Sequence, residues 1–194
     1  MKKRLFSFLL LGFLSINAFG QVQFLVEGGV SYTTMTIKGS EYRFGGRIAG
    51  GLDMPLGDYL TFQPMLELAM KGHKETNTGV STNPIYAEIP LKISLAIPLE
   101  SEMDWRINAG PYVGYGFAGK YKIEQDEKEE SYDLFGSDGR FNNLDVGLAA
   151  GTKFIFMPFY ITIDAEWGLL NLNKEAEQRS LKNVAYSAGF GFIF

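Results

Sequence analysis

The chain contains no cysteine and a single histidine, His73. Without thiols there is no disulfide framework and no thiolate metal site, and one imidazole cannot build a transition-metal cluster. After the first twenty residues the sequence also lacks the ~18 consecutive apolar residues of a transmembrane helix. Positive charge is in short supply as well, with 18 Lys and Arg against 22 Asp and Glu, a formal net charge of −4. Such a surface is a poor partner for nucleic acid, and none is expected. Two classes survive these absences: a soluble exported protein, or one that crosses a membrane as strands, whose alternation hides from a hydropathy window.

Export is written into the first residues. Lys2, Lys3 and Arg4 precede an apolar run from Leu5 to about Leu14, and Ala18 and Gly20 follow, two apart. This is the charged, apolar and small-residue order of a signal peptide, so residues 1–20 are expected to be cleaved and 21–194 to form one domain. The run is shorter than the ~20 residues of a spanning anchor. No cysteine follows Gly20, which argues against lipid modification. Losing Lys2, Lys3 and Arg4 moves the net charge from −4 to −7.

What the rest of the chain has is a period of two. The last stretch, 183–194, sets Val184, Tyr186, Phe190, Phe192 and Phe194 against Ala185, Ser187, Gly189 and Gly191. Seven earlier segments alternate in the same way, at 23–37, 44–54, 59–72, 84–97, 104–120, 141–154 and 159–170, with ends uncertain by ~2–4 residues. Their connections alternate too. Those at 38–43, 73–83, 121–140 and 171–180 are long and polar, whereas 55–58, 98–103 and 155–158 are short. Long loops at one end and short turns at the other are the asymmetry of an outer-membrane barrel, and an even strand count closes it without an edge. The expected fold is therefore all-β, an eight-stranded antiparallel up-and-down transmembrane β-barrel. Pro64, Pro90 and Pro111 fall inside strands and call for bulges or irregular pairing there.

If the apolar faces point outward, the inward set contains Glu27, Glu67, Glu88, Asp145, Asp164 and Glu166 with Arg47, Lys92, Arg106 and Lys153. A barrel of eight strands is only wide enough for side chains to fill. Buried charges must then pair, so a salt-bridged polar plug is expected in the lumen. The outward face carries rings near strand ends, namely Phe24, Phe44, Phe62, Trp105, Phe117, Phe141, Phe154, Phe159, Trp167 and Phe194, as in the aromatic girdles of such barrels. The competing soluble reading, a lipocalin-like barrel with a greasy pocket, would place the charges outside and overfill an apolar lumen of this size.

Four blocks add a resemblance: AGGLDMPLGDYLTFQPMLELAMKG (49–72), YAEIPLKISL (86–95), FNNLDVGLAAGTKF (141–154) and the closing stretch. Together they resemble the outer-membrane beta-barrel domain family common in Bacteroidetes, often labelled porin-family proteins and akin to small barrels of the OmpX or OmpA type. The resemblance spans nearly all of the chain after residue 20, and the family carries prolines where Pro64 and Pro90 stand. It implies that Phe190, Phe192 and Phe194 form the assembly signal read by the barrel-insertion machinery. It supplies no catalytic residues, and the porin label does not establish a pore.

Catalytic chemistry is sparse. His73 would be the natural general base, but it stands in a loop near Ser81, without a nucleophile motif, and reads as a solvated loop histidine. The acidic run Glu124, Asp126, Glu127, Glu129 and Glu130 lacks the spaced ligands and glycine of a calcium loop and reads as solvated and mobile. Gly45, Gly46, Gly50 and Gly51 lie in an alternating strand with no following helix, which excludes a phosphate cradle. No enzyme, cofactor or metal is expected. The expected protein resides in the outer membrane, has lipid as its surroundings, and plays a structural or surface-interaction role through loops 38–43, 73–83, 121–140 and 171–180. The alternative is a narrow passive pore for small solutes or ions.

Overall fold

The segment Phe159–Gly168 shows how this sequence chooses its architecture. Phe159, Ile161, Ile163 and Trp167 are exposed, while Tyr160, Thr162, Asp164 and Glu166 between them are buried. A strand with its greasy side out and its charges in cannot be the wall of a water-soluble sandwich. The same inversion runs through the whole molecule: Ile48 and Leu66 are each 62% exposed, whereas Glu88 and Lys92 are each 1% exposed. The continuous apolar exterior is far larger than a soluble monomer tolerates. This excludes the lipocalin-like arrangement.

The computed structural model describes residues 22–37, 39–75, 80–100, 103–125, 128–137, 139–174 and 180–194. The expected signal segment 1–20 lies outside the described residues. Among the described residues thirteen strands follow in chain order: β1 (Gln23–Met35), β2 (Ser40–Glu41), β3 (Arg43–Pro55), β4 (Leu60–Met70), β5 (His73–Glu75), β6 (Val80–Thr82), β7 (Ile85–Glu100), β8 (Met103–Ala118), β9 (Lys120–Gln125), β10 (Lys128–Asp133), β11 (Leu144–Phe156), β12 (Phe159–Gly168) and β13 (Asn183–Ile193). Eight of them, β1, β13, β12, β11, β8, β7, β4 and β3, close into an antiparallel barrel in that order. The seam pairs β1 with β13 from Leu25 opposite Ile193 to Met35 opposite Asn183. Backbone bonds between Phe24 and Phe194 extend it in both directions, at 3.2 and 2.9 Å.

The other five strands form a second sheet in the order β10, β9, β6, β5, β2. It grows from the long-loop end, because the barrel strands outrun the ~9–11 residues needed to cross a membrane. β7 and β8 are 16 residues each. The connections 38–43, 73–83 and 121–140 are therefore more than polar links. The acidic run is part of a hairpin, with Glu124 opposite Glu129 and Glu130 opposite Ile123. That pairing gives strand structure to a run expected to be mobile, while Glu130 within it is exposed, as expected of a solvated run; Asp126 and Glu127 themselves lie outside the described residues.

The prolines interrupt the pairing, as expected, but without bulges: Pro64 lacks a partner on β3, Pro90 on β4 and Pro111 on β7. Pro64 pairs with Leu91, Pro90 with Tyr112 and Pro111 with Leu148, all without a change of register. The missing N–H removes a rung while the neighbouring residues hold the ladder. Register shifts in the β7–β8 pair occur elsewhere, between Ile85 and Tyr86 and between Pro98 and Glu100.

Rings gather at both rims. At the loop end Tyr32 stacks on Tyr42 with centroids 4.6 Å apart. At the turn end Phe159 meets Phe192 at 4.9 Å, and Phe192 stacks on Phe194. Phe141 is the exception among the rings expected outside: β11 begins only at Leu144, and Phe141 is 3% exposed within the loops.

Candidate functional site

The barrel interior is where this chain concentrates its chemistry. Among the described residues, buried carboxylates belong to Glu27, Asp53, Glu67, Glu88, Asp145, Asp164 and Glu166, and buried cations to Arg47, Lys71, Lys92, Arg106 and Lys153. Small residues on the facing strands make the room. A Cβ on Gly191 would collide with the Tyr160 ring, and one on Gly114 would press on the Glu88 side chain.

Arg47 is the hub of the middle. It meets Glu27, lies 3.1 Å from Asp164 and 3.5 Å from Glu67, and donates to Ser187 Oγ at 2.7 Å. Asp164 also accepts from Lys92 at 2.6 Å and from Thr162 at 2.8 Å. Glu27 accepts from Lys153 at 3.1 Å and from the Tyr160 hydroxyl at 2.9 Å. These contacts join β1, β3, β4, β7, β11, β12 and β13 across the lumen.

Towards the turns, Arg106 donates to Asp53 at 2.5 Å and to Asp104 at 3.3 Å, and Gln63 donates to Asp53 at 2.9 Å. Below this tier a cavity of about 390 Å³ opens between the turns, lined in part by Asp58, Tyr59, Thr61 and Arg106.

Towards the loops, Lys71 Nζ lies 2.7 Å from Glu88 and 2.9 Å from Glu166 and sits 4.6 Å above the Tyr112 ring. Tyr112 and Asn183 both donate to Asp145, at 3.1 and 2.8 Å. Carboxylate oxygens of Glu67, Glu88 and Glu166 come within 4.8 Å of one another. Lys71 and Asp53 are absent from the inward set drawn from the sequence. Strand parity could have found both, since Lys71 continues the odd positions Thr61, Gln63 and Glu67, and Asp53 those of Arg47 and Ala49.

The loop end is covered. Met35, Leu134, Phe141 and Leu172 form a buried apolar cluster with Tyr121, Phe135 and Leu181 packed against it. Phe135 sets its ring edge-on to Tyr86 at 5.7 Å, over the position of Gly116. Leu134 N donates to Gly119 O at 3.0 Å, just past β8, and Gly116 N of β8 donates to Asn143 O at 2.7 Å, which ties the cover to the barrel wall.

His73 is buried rather than solvated, being 2% exposed. It opens β5, where it pairs with Thr82 of β6, and Thr82 Oγ1 lies 2.9 Å from Nδ1. Burial pulls its pKa below the usual 6.5; Glu75 opposes this and Arg43 adds to it. Ser81 pairs with Lys74 and Lys122 in the same sheet. The terminal rings Phe190, Phe192 and Phe194 all face outward, and Phe194 is 72% exposed.

Comparison with known proteins agrees with this geometry. The family described as outer membrane protein beta-barrel domain matches residues 13–174. No curated protein matches the chain significantly. Among solved structures, a major outer membrane protein from Thermus thermophilus superposes with a TM-score of 0.53 at 14% identity, over 90% of this chain and 100% of that one. Ail, the attachment invasion locus protein of Yersinia pestis, gives 0.50 at 14% identity over 90% and 99%. The outer membrane enzyme PagL gives 0.50 at 10% identity over 86% and 98%. At such identities the likeness is one of fold.

Proposed function

The chain belongs to the outer membrane protein beta-barrel domain family, and from that premise we propose that it is a non-enzymatic outer-membrane barrel with a structural or surface-interaction role. Its lumen is a salt-bridged plug. The observation that carries this reading is the contact set around Arg47, in which one side chain meets Glu27, Glu67 and Asp164 across the lumen. Crossing the barrel would require separating these ions in a poorly solvated interior, where an unpaired charge costs several kcal/mol. The apolar cover at the loop end adds a second seal.

The cavity between the turns favours a second reading, a narrow passive pore, because it leads from the turn end to Arg106. Planar-bilayer recording separates the two. The plug predicts no steady conductance from the purified barrel, and reproducible unitary steps would replace it with the pore.

The remaining assignments have the same status. Residues 1–20 act as a cleaved signal peptide. Phe190, Phe192 and Phe194 serve as the assembly signal for the insertion machinery, and blocks 49–72 and 141–154 tie the chain to the Bacteroidetes branch of small barrels. Surface partners dock on the extracellular sheet and loops 38–43, 73–83, 121–140 and 171–180. The non-enzymatic assignment rests on His73, whose buried ring is held by Thr82 and offers no accessible base. Retention of a lipid-directed activity by the wild type and its loss in His73→Ala would overturn it.

A further inference from the structure

The loop-side half of the lumen holds more negative charge than its own cations balance. Glu88, Glu166 and Asp145 are all buried there, and Lys71 is the cation among them. Glu67, whose nearest cation is Arg47 at 3.5 Å, brings a further carboxylate to the same point. Lys71 occupies Glu88 Oε1 and Glu166 Oε2, while Glu88 Oε2 is buried with no hydrogen-bond partner. Charge of one sign left uncompensated in a low-dielectric space is strongly unfavourable and is relieved by a proton or by a counter-ion.

We propose that Glu67, Glu88 and Glu166 form a calcium site inside the barrel, beneath the apolar cover. All three ligands are hard carboxylate oxygens, which select Ca²⁺ or Mg²⁺ over softer metals. Dehydration then favours calcium. Mg²⁺ gives up its water reluctantly and is seldom held by an all-protein set of oxygens, whereas Ca²⁺ accepts several carboxylates at ~2.3–2.6 Å in flexible geometry. The three carboxylates approach within 4.8 Å. They come from β4, β7 and β12, so they follow no calcium-loop spacing in the sequence. A single divalent ion cancels the local excess and gives Glu88 Oε2 its missing partner. The ammonium of Lys71 competes with the ion for the same oxygens and so sets its affinity.

The site presupposes the plug reading, because an open aqueous lumen would screen the excess charge. The two remain separable, since bilayer conductance reports on the plug and metal stoichiometry on the site. The test is calorimetric titration of the chelator-stripped, full-length barrel in detergent micelles with CaCl₂ and, separately, MgCl₂. The expected result is one Ca²⁺ per chain, bound at least about tenfold more tightly than Mg²⁺, with a higher unfolding temperature in calcium. Glu88→Gln removes the binding. Lys71→Met tightens it, and Glu130→Gln, on the exposed hairpin, leaves it unchanged. The wild-type titration needs no variant to fold, and unheated gel migration verifies the closed barrel. The site is overturned if a folded wild-type barrel takes up no calcium, or if Glu88→Gln binds it as well as wild type. It is equally overturned if infrared spectra in saturating calcium show a protonated carboxylic acid that Glu88→Gln abolishes, because the charge is then balanced by a proton.

Discussion

At the scale of single residues, Arg47 has the most to lose. Its guanidinium meets Glu27, Glu67 and Asp164 and donates to Ser187. Arg47→Met keeps much of the volume but leaves those carboxylates facing one another, and should cost ~3–5 kcal/mol. Urea unfolding in micelles measures this directly. Adding Asp164→Asn removes one of the orphaned charges, so the double variant should lose less than the sum of the two single losses. Which way Arg47 points follows from strand parity, and parity can be read from the sequence. Which carboxylate it meets cannot, because Arg47 and Asp164 lie 117 residues apart and the seam that brings them together exists only in the closed barrel.

At the scale of elements, β5 and β6 form the small unit most open to titration. His73 is buried against Thr82, with its pKa held below 6.5. The unfolded chain therefore takes up the proton first. The stability contributed by neutral His73 is complete above about pH 6.5 and is lost as pH falls through the lower, folded value. Denaturant midpoints of wild type and His73→Asn should accordingly converge between about pH 7.5 and 5, whereas a constant gap would exclude His73 as the titrating group. These short strands also mark the limit of what the sequence discloses. Each barrel strand alternates over ten or more residues, enough for its period to stand out. β5 and β6 have three residues each and β2 has two, too few for any periodicity. Placing Phe141 on the lipid face fails for a different reason: it shares the odd parity of the inward Asp145 and Lys153, and the ladder starts only at Leu144.

At the scale of the whole molecule, the outer face is a depth scale. Ile48 stands mid-strand, opposite Gly28 and Leu68, and faces outward. Ile48→Arg should cost ~2–4 kcal/mol if that position lies near the bilayer midplane, and the same change at Phe24, on the rim, ~0–1 kcal/mol. Reversible unfolding in lipid vesicles distinguishes them, and equal costs would refute the proposed depth of the band.

The seam between β1 and β13 gives the closed wall one more meaning. No single segment of the barrel is greasy enough to partition into a membrane by itself, because most of the alternate, inward positions along it are small, polar or charged. The oil-compatible coat comes into being only when residue 25 finds residue 193 and the inward sides of all eight strands are sequestered at once. The travelling chain is thus disguised as a water-loving polymer until its two ends meet. Insertion and folding are then a single event, and the membrane selects for the finished ring rather than for any part of it.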